Sequence, residues 1–201
     1  MTKAVQVRQY QLAEREDRMN NKVSTVNKLS KPFLVLFDYD GTLSTPCFTE
    51  KDGRILPGKN TFYDNFKPYA EENPPYEKQP PVREMTRISE NLYKNGYELG
   101  VLSRCGQGSV EIFSKIDSLN KNYPFRDWKE NFYGVCCWEQ KLDVIRALLE
   151  TEKYQEIWYV DDNLEILLNI ESKLYTEETQ LDVNRIKLYH VTTFIEKYRE
   201  P

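Results

Sequence analysis

Asp38 and Asp40 stand two residues apart and are followed directly by Gly41 and Thr42. Ser103 and Lys141 lie far downstream, and Asp161 and Asp162 are adjacent near the end of the chain. These residue types can together move a phosphoryl group. A phosphate ester is anionic and resists attack, so a protein must supply positive charge, a positioned nucleophile and a proton for the leaving oxygen. A carboxylate can be the nucleophile, through an aspartyl-phosphate. A second carboxyl two residues away can protonate the leaving oxygen and later deprotonate water. Carboxylates converging on one spot repel each other unless a cation sits among them, and an all-oxygen set that leaves room for water and phosphate suits magnesium. Gly41 permits a sharp turn and close backbone approach. Thr42 and Ser103 are short hydroxyl donors for phosphoryl oxygens, and Lys141 is a point charge for the phosphate.

These residues must be brought together by the elements that carry them. Phe33 to Phe37 is continuously apolar, as in a strand buried on both faces. Val82, Met85, Ile88 and Leu92 recur at helical spacing, with Gly96 as the stop. Tyr97–Leu102 reads as a second strand, Ser109–Asn120 as a helix and Phe132–Trp138 as a third strand. Leu142, Ile145, Leu148 and Leu149 mark another helix face, which Lys141 opens. Ile157–Val160 is a fourth strand ending at Asp161, and Asn163 caps the helix that follows. Ile186–Val191 is a fifth strand, with a last helix over Thr193–Tyr198. Strands alternating with helices imply a mainly parallel sheet covered on both faces, a three-layer Rossmann-like α/β fold. Ligands in such folds sit beyond the carboxyl ends of the strands, where the polar residues fall.

The chain of 201 residues, with a formal net charge of −4, fits one soluble domain and carries no overall pull toward nucleic acid or anionic membrane. No apolar run approaches the ~20 residues of a membrane span, and the polar start lacks the apolar centre of a secretory signal, so a cytoplasmic protein is expected. Cys47, Cys105, Cys136 and Cys137 show no metal-site spacing and are expected to be reduced, the last two in or beside the core. Residues 1–31 read as a polar arm or helix, and 32–201 as the domain, with an insertion at 44–80.

Asp38-Tyr39-Asp40-Gly41-Thr42-Leu43 resembles the first motif, DxDGT(L), of the haloacid dehalogenase-like hydrolases. Leu102-Ser103, Lys141 and Val160-Asp161-Asp162 are similar to that family's second, third and fourth motifs, in family order. The resemblance spans roughly residues 32–191. It implies Asp38 as nucleophile and magnesium ligand and Asp40 as acid/base, with its backbone carbonyl on the metal. Asp161 would be a further ligand, and Asp162 would support the metal shell or orient Lys141. Gly41, Thr42, Ser103 and Lys141 would bind phosphate. Asp40 favours phosphate-ester hydrolysis, since the family's dehalogenases lack a second aspartate.

The substrate reads first as a small phosphorylated molecule such as a nucleotide or sugar phosphate, and second as a phosphorylated nucleic-acid end. A non-catalytic phosphate- or metal-binding module is the reading from another class. A metal-binding DxD of a glycosyltransferase would leave Gly41, Thr42, Ser103, Lys141 and Asp161 unexplained. Gly106-Gln107-Gly108 lacks the third glycine of a dinucleotide loop and reads as a loop into a helix. His190, the only histidine, reads as structural. In the insertion, Asp52-Gly53 between Phe48-Thr49 and Ile55-Leu56 predicts a hairpin flap or small cap. Phe62, Tyr63, Phe66, Tyr69 and Tyr76 beyond it either pin a loop or face the site.

Overall fold

A computed structural model of the chain describes residues 31–45, 47–49, 55–57, 79–106, 108–176 and 182–199. They form seven strands, five α-helices and a 3-10 turn at Val183–Arg185. β1 (Phe33–Phe37) is followed by a short hairpin, β2 (Cys47–Thr49) and β3 (Ile55–Pro57). Then come α1 (Arg83–Lys94), β4 (Glu98–Arg104), α2 (Ser109–Asn122) and β5 (Phe132–Val135). α3 (Gln140–Glu150), β6 (Glu156–Asp161), α4 (Leu164–Thr176), β7 (Ile186–His190) and α5 (Val191–Tyr198) complete the domain.

Five strands form one parallel sheet in the order β5-β4-β1-β6-β7. The chain builds outward from β1 to one edge, then returns past it to build the other half. The gap between the ends of β1 and β6 is therefore the topological switch point, where an open α/β sheet leaves a crevice. Successive residues of a strand face opposite sides, and β1 sorts itself accordingly. Val35 and Phe37 pack with Met85, Ile88 and Leu92 of α1, Leu119 of α2 and Phe194 of α5. Leu34 and Leu36 pack with Leu142, Ile145 and Leu149 of α3 and Ile170 of α4. Burial on both faces explains why β1 is apolar at every position.

Two boundaries near the site differ from the sequence reading. β4 runs two residues beyond Leu102, so Ser103 lies inside the strand, opposite Gly134 of β5, and not after it. β5 stops at Val135, three residues short of the expected end. The Cys136 N–H turns instead to Gln140 Oε1, and the Trp138 carbonyl accepts the Lys141 N–H, so the chain is already winding into α3. The expected core position of Cys136 is also corrected, since this thiol is exposed and Cys137 is only partly covered.

The hairpin predicted around Asp52-Gly53 is present in its strands, with Phe48 paired to Leu56 and Thr49 to Ile55. The turn itself, the five aromatics from Phe62 to Tyr76 and residues 1–30 of the predicted arm lie outside the described residues. The compact unit that carries the sheet begins at Pro32.

Candidate active site

The strand alternation that builds the core also aims the carboxylates. Asp38 continues the Leu34–Leu36 side of β1, and Asp161 continues the Ile157–Tyr159 side of β6. Both therefore point toward the layer of α3 and α4. The Asp38 N–H donates to the Val160 carbonyl at 2.8 Å, which carries the β1–β6 pairing up to the two acids. Lys141, on the first turn of α3, meets them from that layer. Its Nζ donates to Asp38 Oδ1 at 2.8 Å and to Asp161 Oδ2 at 2.9 Å. All three side chains are almost wholly buried.

Asp162 closes the cluster. One carboxylate oxygen from each of Asp38, Asp161 and Asp162 lies within 4.8 Å of the others. Gly41 makes room for it: a Cβ at Gly41 would fall 2.6 Å from Asp162 Cγ, and its φ of +82° belongs to the left-handed region. The Gly41 N–H is already donated to the Ser44 carbonyl at 2.9 Å. Gly41 thus serves the turn by lacking a side chain. The same turn uses the N–H groups of Leu43 and Ser44 on the Tyr39 carbonyl. Thr42 is fully buried inside this turn, and its hydroxyl has no partner among the described residues. Such an orphan costs roughly 1–3 kcal/mol and marks a place that a ligand can complete.

The loop holding Asp161 and Asp162 is braced by its own chain. The Asn163 N–H donates to Asp161 Oδ1 at 2.8 Å, and the Tyr159 hydroxyl donates to Asp161 Oδ2. Asn163 Oδ1 accepts from the Glu165 N–H at 3.0 Å, which gives α4 its expected cap. His190 is structural, as expected, and it serves the site. Its Nε2 lies 2.9 Å from the Asp162 carbonyl, which can only accept, so Nε2 carries the proton.

Asp40 stands apart from the three-carboxylate cluster. Its half-exposed side chain accepts from Lys115 Nζ at 2.7 Å, a partner on the opposite face of the sheet. Ser103 continues the Leu99–Val101 side of β4, so it points to that same face, and its Oγ accepts from Lys115 at 3.0 Å. Two lysines thus approach the carboxyl edge of the sheet, Lys141 from one layer and Lys115 from the other. Sequence reasoning missed Lys115, Tyr159 and the contact of His190. Lys115 carried a signal, because it falls on the buried stripe of α2 beside Ile116 and Leu119, where a charge is out of place.

The electrostatics follow from this crowding. Burial, with the charges of Asp161 and Asp40 added, pushes the Asp38 carboxyl up to about 7 even though Lys141 opposes the rise. Burial, with Asp38 and Asp161 beside it, pushes Asp162 up to about 8. Burial disfavours the charged form of Lys141, but the two carboxylates outweigh it and the ammonium is held above its ordinary range. Three carboxylates around one ammonium carry excess negative charge, and every donor atom is oxygen. That donor set fits a hard divalent cation such as magnesium. Asp40 contributes no carboxylate to it.

No protein-family model matches the chain, and no curated protein matches it in sequence. Among solved structures it is similar to a D,D-heptose 1,7-bisphosphate phosphatase from Burkholderia thailandensis. That match has 10% identity, covers 84% of this chain and 99% of that one, and has a TM-score of 0.44. It is also similar to the Legionella pneumophila effector Ceg4, crystallised with an N-terminal yeast Hog1p sequence. There the identity is 14%, the coverage 88% and 98%, and the TM-score 0.43. No helix among the described residues is long and apolar enough to cross a membrane.

Proposed function

We propose that this chain is a haloacid dehalogenase-like phosphohydrolase that cleaves phosphate monoesters through an aspartyl-phosphate on Asp38. One observation carries the reading. At the switch point of the sheet, Asp38 is joined by Lys141 to Asp161, with Asp162 closing a cluster of oxygens within 4.8 Å. Asp38 is almost wholly buried, and removing a carboxylate from water is costly.

In this reading Asp38 attacks phosphorus with one carboxylate oxygen while the bond to the leaving oxygen breaks. Asp40 gives its proton to that oxygen, then takes one from the water that cleaves the aspartyl-phosphate. Ser103 donates to a phosphoryl oxygen, and Thr42 has a hydroxyl free to do so. Lys141 keeps Asp38 oriented and adds positive charge where negative charge builds. Magnesium, held by Asp38, Asp161 and Asp162, would supply the remaining neutralisation of the phosphoryl oxygens. The substrate is a small phosphorylated molecule in this reading.

The test is a phosphatase panel of an aryl phosphate, nucleotides, sugar phosphates and 5′- and 3′-phosphorylated oligonucleotides, each with magnesium and with chelator. Turnover that needs magnesium and disappears in Asp38→Asn supports the proposal. Turnover only on oligonucleotide ends would replace the small substrate by a nucleic acid. Metal binding with no turnover on any phosphate would make the chain a binding module.

A further inference from the structure

Lys115 has no place in the reading above, yet it is the most completely enclosed charge in the described structure. Its side chain has no solvent exposure. Its ammonium donates to Asp40 Oδ2 at 2.7 Å, to the Arg104 carbonyl at 2.8 Å and to Ser103 Oγ at 3.0 Å, with Glu111 Oε1 at 3.1 Å. It also lies 5.2 Å from the centre of the Tyr39 ring. An ammonium has three protons, and here they face four acceptors, so its position is overdetermined. Burying such a charge costs several kcal/mol unless its partners are well placed. A helix that needed only to cover β4 and β5 would fill this position with an apolar residue.

We propose that Lys115 is a positioning residue for phosphoryl transfer, fixing Asp40 as acid and base and Ser103 as a donor; this rests on the phosphohydrolase reading. The two contacts are chemically directional. Because Lys115 occupies Asp40 Oδ2, the proton that Asp40 transfers resides on Oδ1. From Oδ1 it passes to the leaving oxygen as the P–O bond breaks, and Oδ1 takes the proton of the attacking water in the second step. Because Lys115 donates to a lone pair of Ser103 Oγ, the hydroxyl proton is turned away from the lysine. Its one described acceptor, the Arg104 carbonyl, is 3.4 Å away, so that proton is easily given to a phosphoryl oxygen.

The two effects separate by substrate. Ser103 acts on phosphate whatever the leaving group, whereas Asp40 matters most when the leaving oxygen is basic. Lys115→Met keeps the length of the stem and removes the charge. It is measured in single turnover with magnesium, on an alkyl phosphate and on a nitrophenyl phosphate. The alkyl-to-aryl rate ratio should fall by about tenfold or more, given that positioned acid catalysis contributes about 10²–10⁴-fold. In an Asp40→Asn background, adding Lys115→Met should change that ratio by no more than about twofold, as the coupling would already be lost. Lys115→Met/Glu111→Gln, which removes the stranded carboxylate as well, should show the same ratio change if the single variant melts too low to assay. Equal loss on both substrates, a ratio change that persists without Asp40, or failure of both variants to fold would overturn the proposal. Inactivity of the unaltered protein on every phosphate would instead overturn the phosphohydrolase reading itself.

Discussion

If the carboxylate cluster holds a divalent cation, metal binding and protonation must compete there, and the competition can be read from stability without any substrate. Asp38 and Asp162 are raised to about 7 and about 8, from the ordinary aspartate value of 3.8. The folded state therefore holds their protons more tightly than the unfolded chain does. The stability these groups contribute is complete below pH ~4, and it is lost as pH rises through 7 and 8. A rise from 3.8 to about 7 corresponds to roughly 4 kcal/mol for Asp38. The two carboxyls share one repulsion, so a combined loss of a few kcal/mol is expected. For a chain of this size, each kcal/mol moves Tm by about 2–4 °C. In chelator, Tm should fall by about 5–10 °C between pH 5.5 and pH 8.5. Magnesium should restore most of that at pH 8.5 and little at pH 5.5, where protons already occupy the cluster. The assay is a thermal melt over pH with and without magnesium, repeated on Asp38→Asn/Asp162→Asn. That double variant should flatten the pH dependence and abolish the magnesium shift. A chelated protein with constant Tm over this range, or a magnesium gain equal at both pH values, would refute the placement of the cation among these acids.

Asp38→Asn should fold with an unchanged circular dichroism spectrum and lose all phosphatase turnover, because the amide is nearly isosteric but a poor nucleophile; comparable turnover would remove the covalent mechanism. Asp40→Asn should slow the first step most on an alkyl phosphate and least on a nitrophenyl phosphate, by single-turnover kinetics. Gly41→Ala should destabilise by about 2 kcal/mol or more in denaturant titration, since left-handed backbone costs a non-glycine roughly 1–2 kcal/mol and the methyl also meets Asp162. Burial raises the Cys105 thiol to about 11, so at pH 8 alkylation followed by mass spectrometry should modify exposed Cys136 well before Cys105.

How much of this was legible in the sequence depends on whether a neighbour lay close along the chain. The five parallel strands could be read because each is a short apolar run between helices, and β1, buried on both faces, has no polar position to blur it. Asp38, Asp161 and Asp162 could be placed together because strand ends in such a sheet share one edge. The end of β5 could not be read, because Val135, Cys136 and Cys137 continue the apolar pattern while the Cys136 N–H follows Gln140 into α3. Nor could Ser103 be separated from the residues after β4, since Arg104 extends the strand by pairing with Val135. The partition of the acids was the least accessible feature. Asp38 and Asp40 are two residues apart, yet they bind lysines from opposite layers, Lys141 and Lys115. The turn at Gly41 and the strand parity of Ser103 decide that division. Spacing alone makes two carboxylates equivalent; the sheet between the two lysines gives each its own partner. If that division is functional, exchanging the charges one at a time will give unlike defects. Loss of Lys141 will fall on every substrate equally, whereas loss of Lys115 will grade with the basicity of the leaving group.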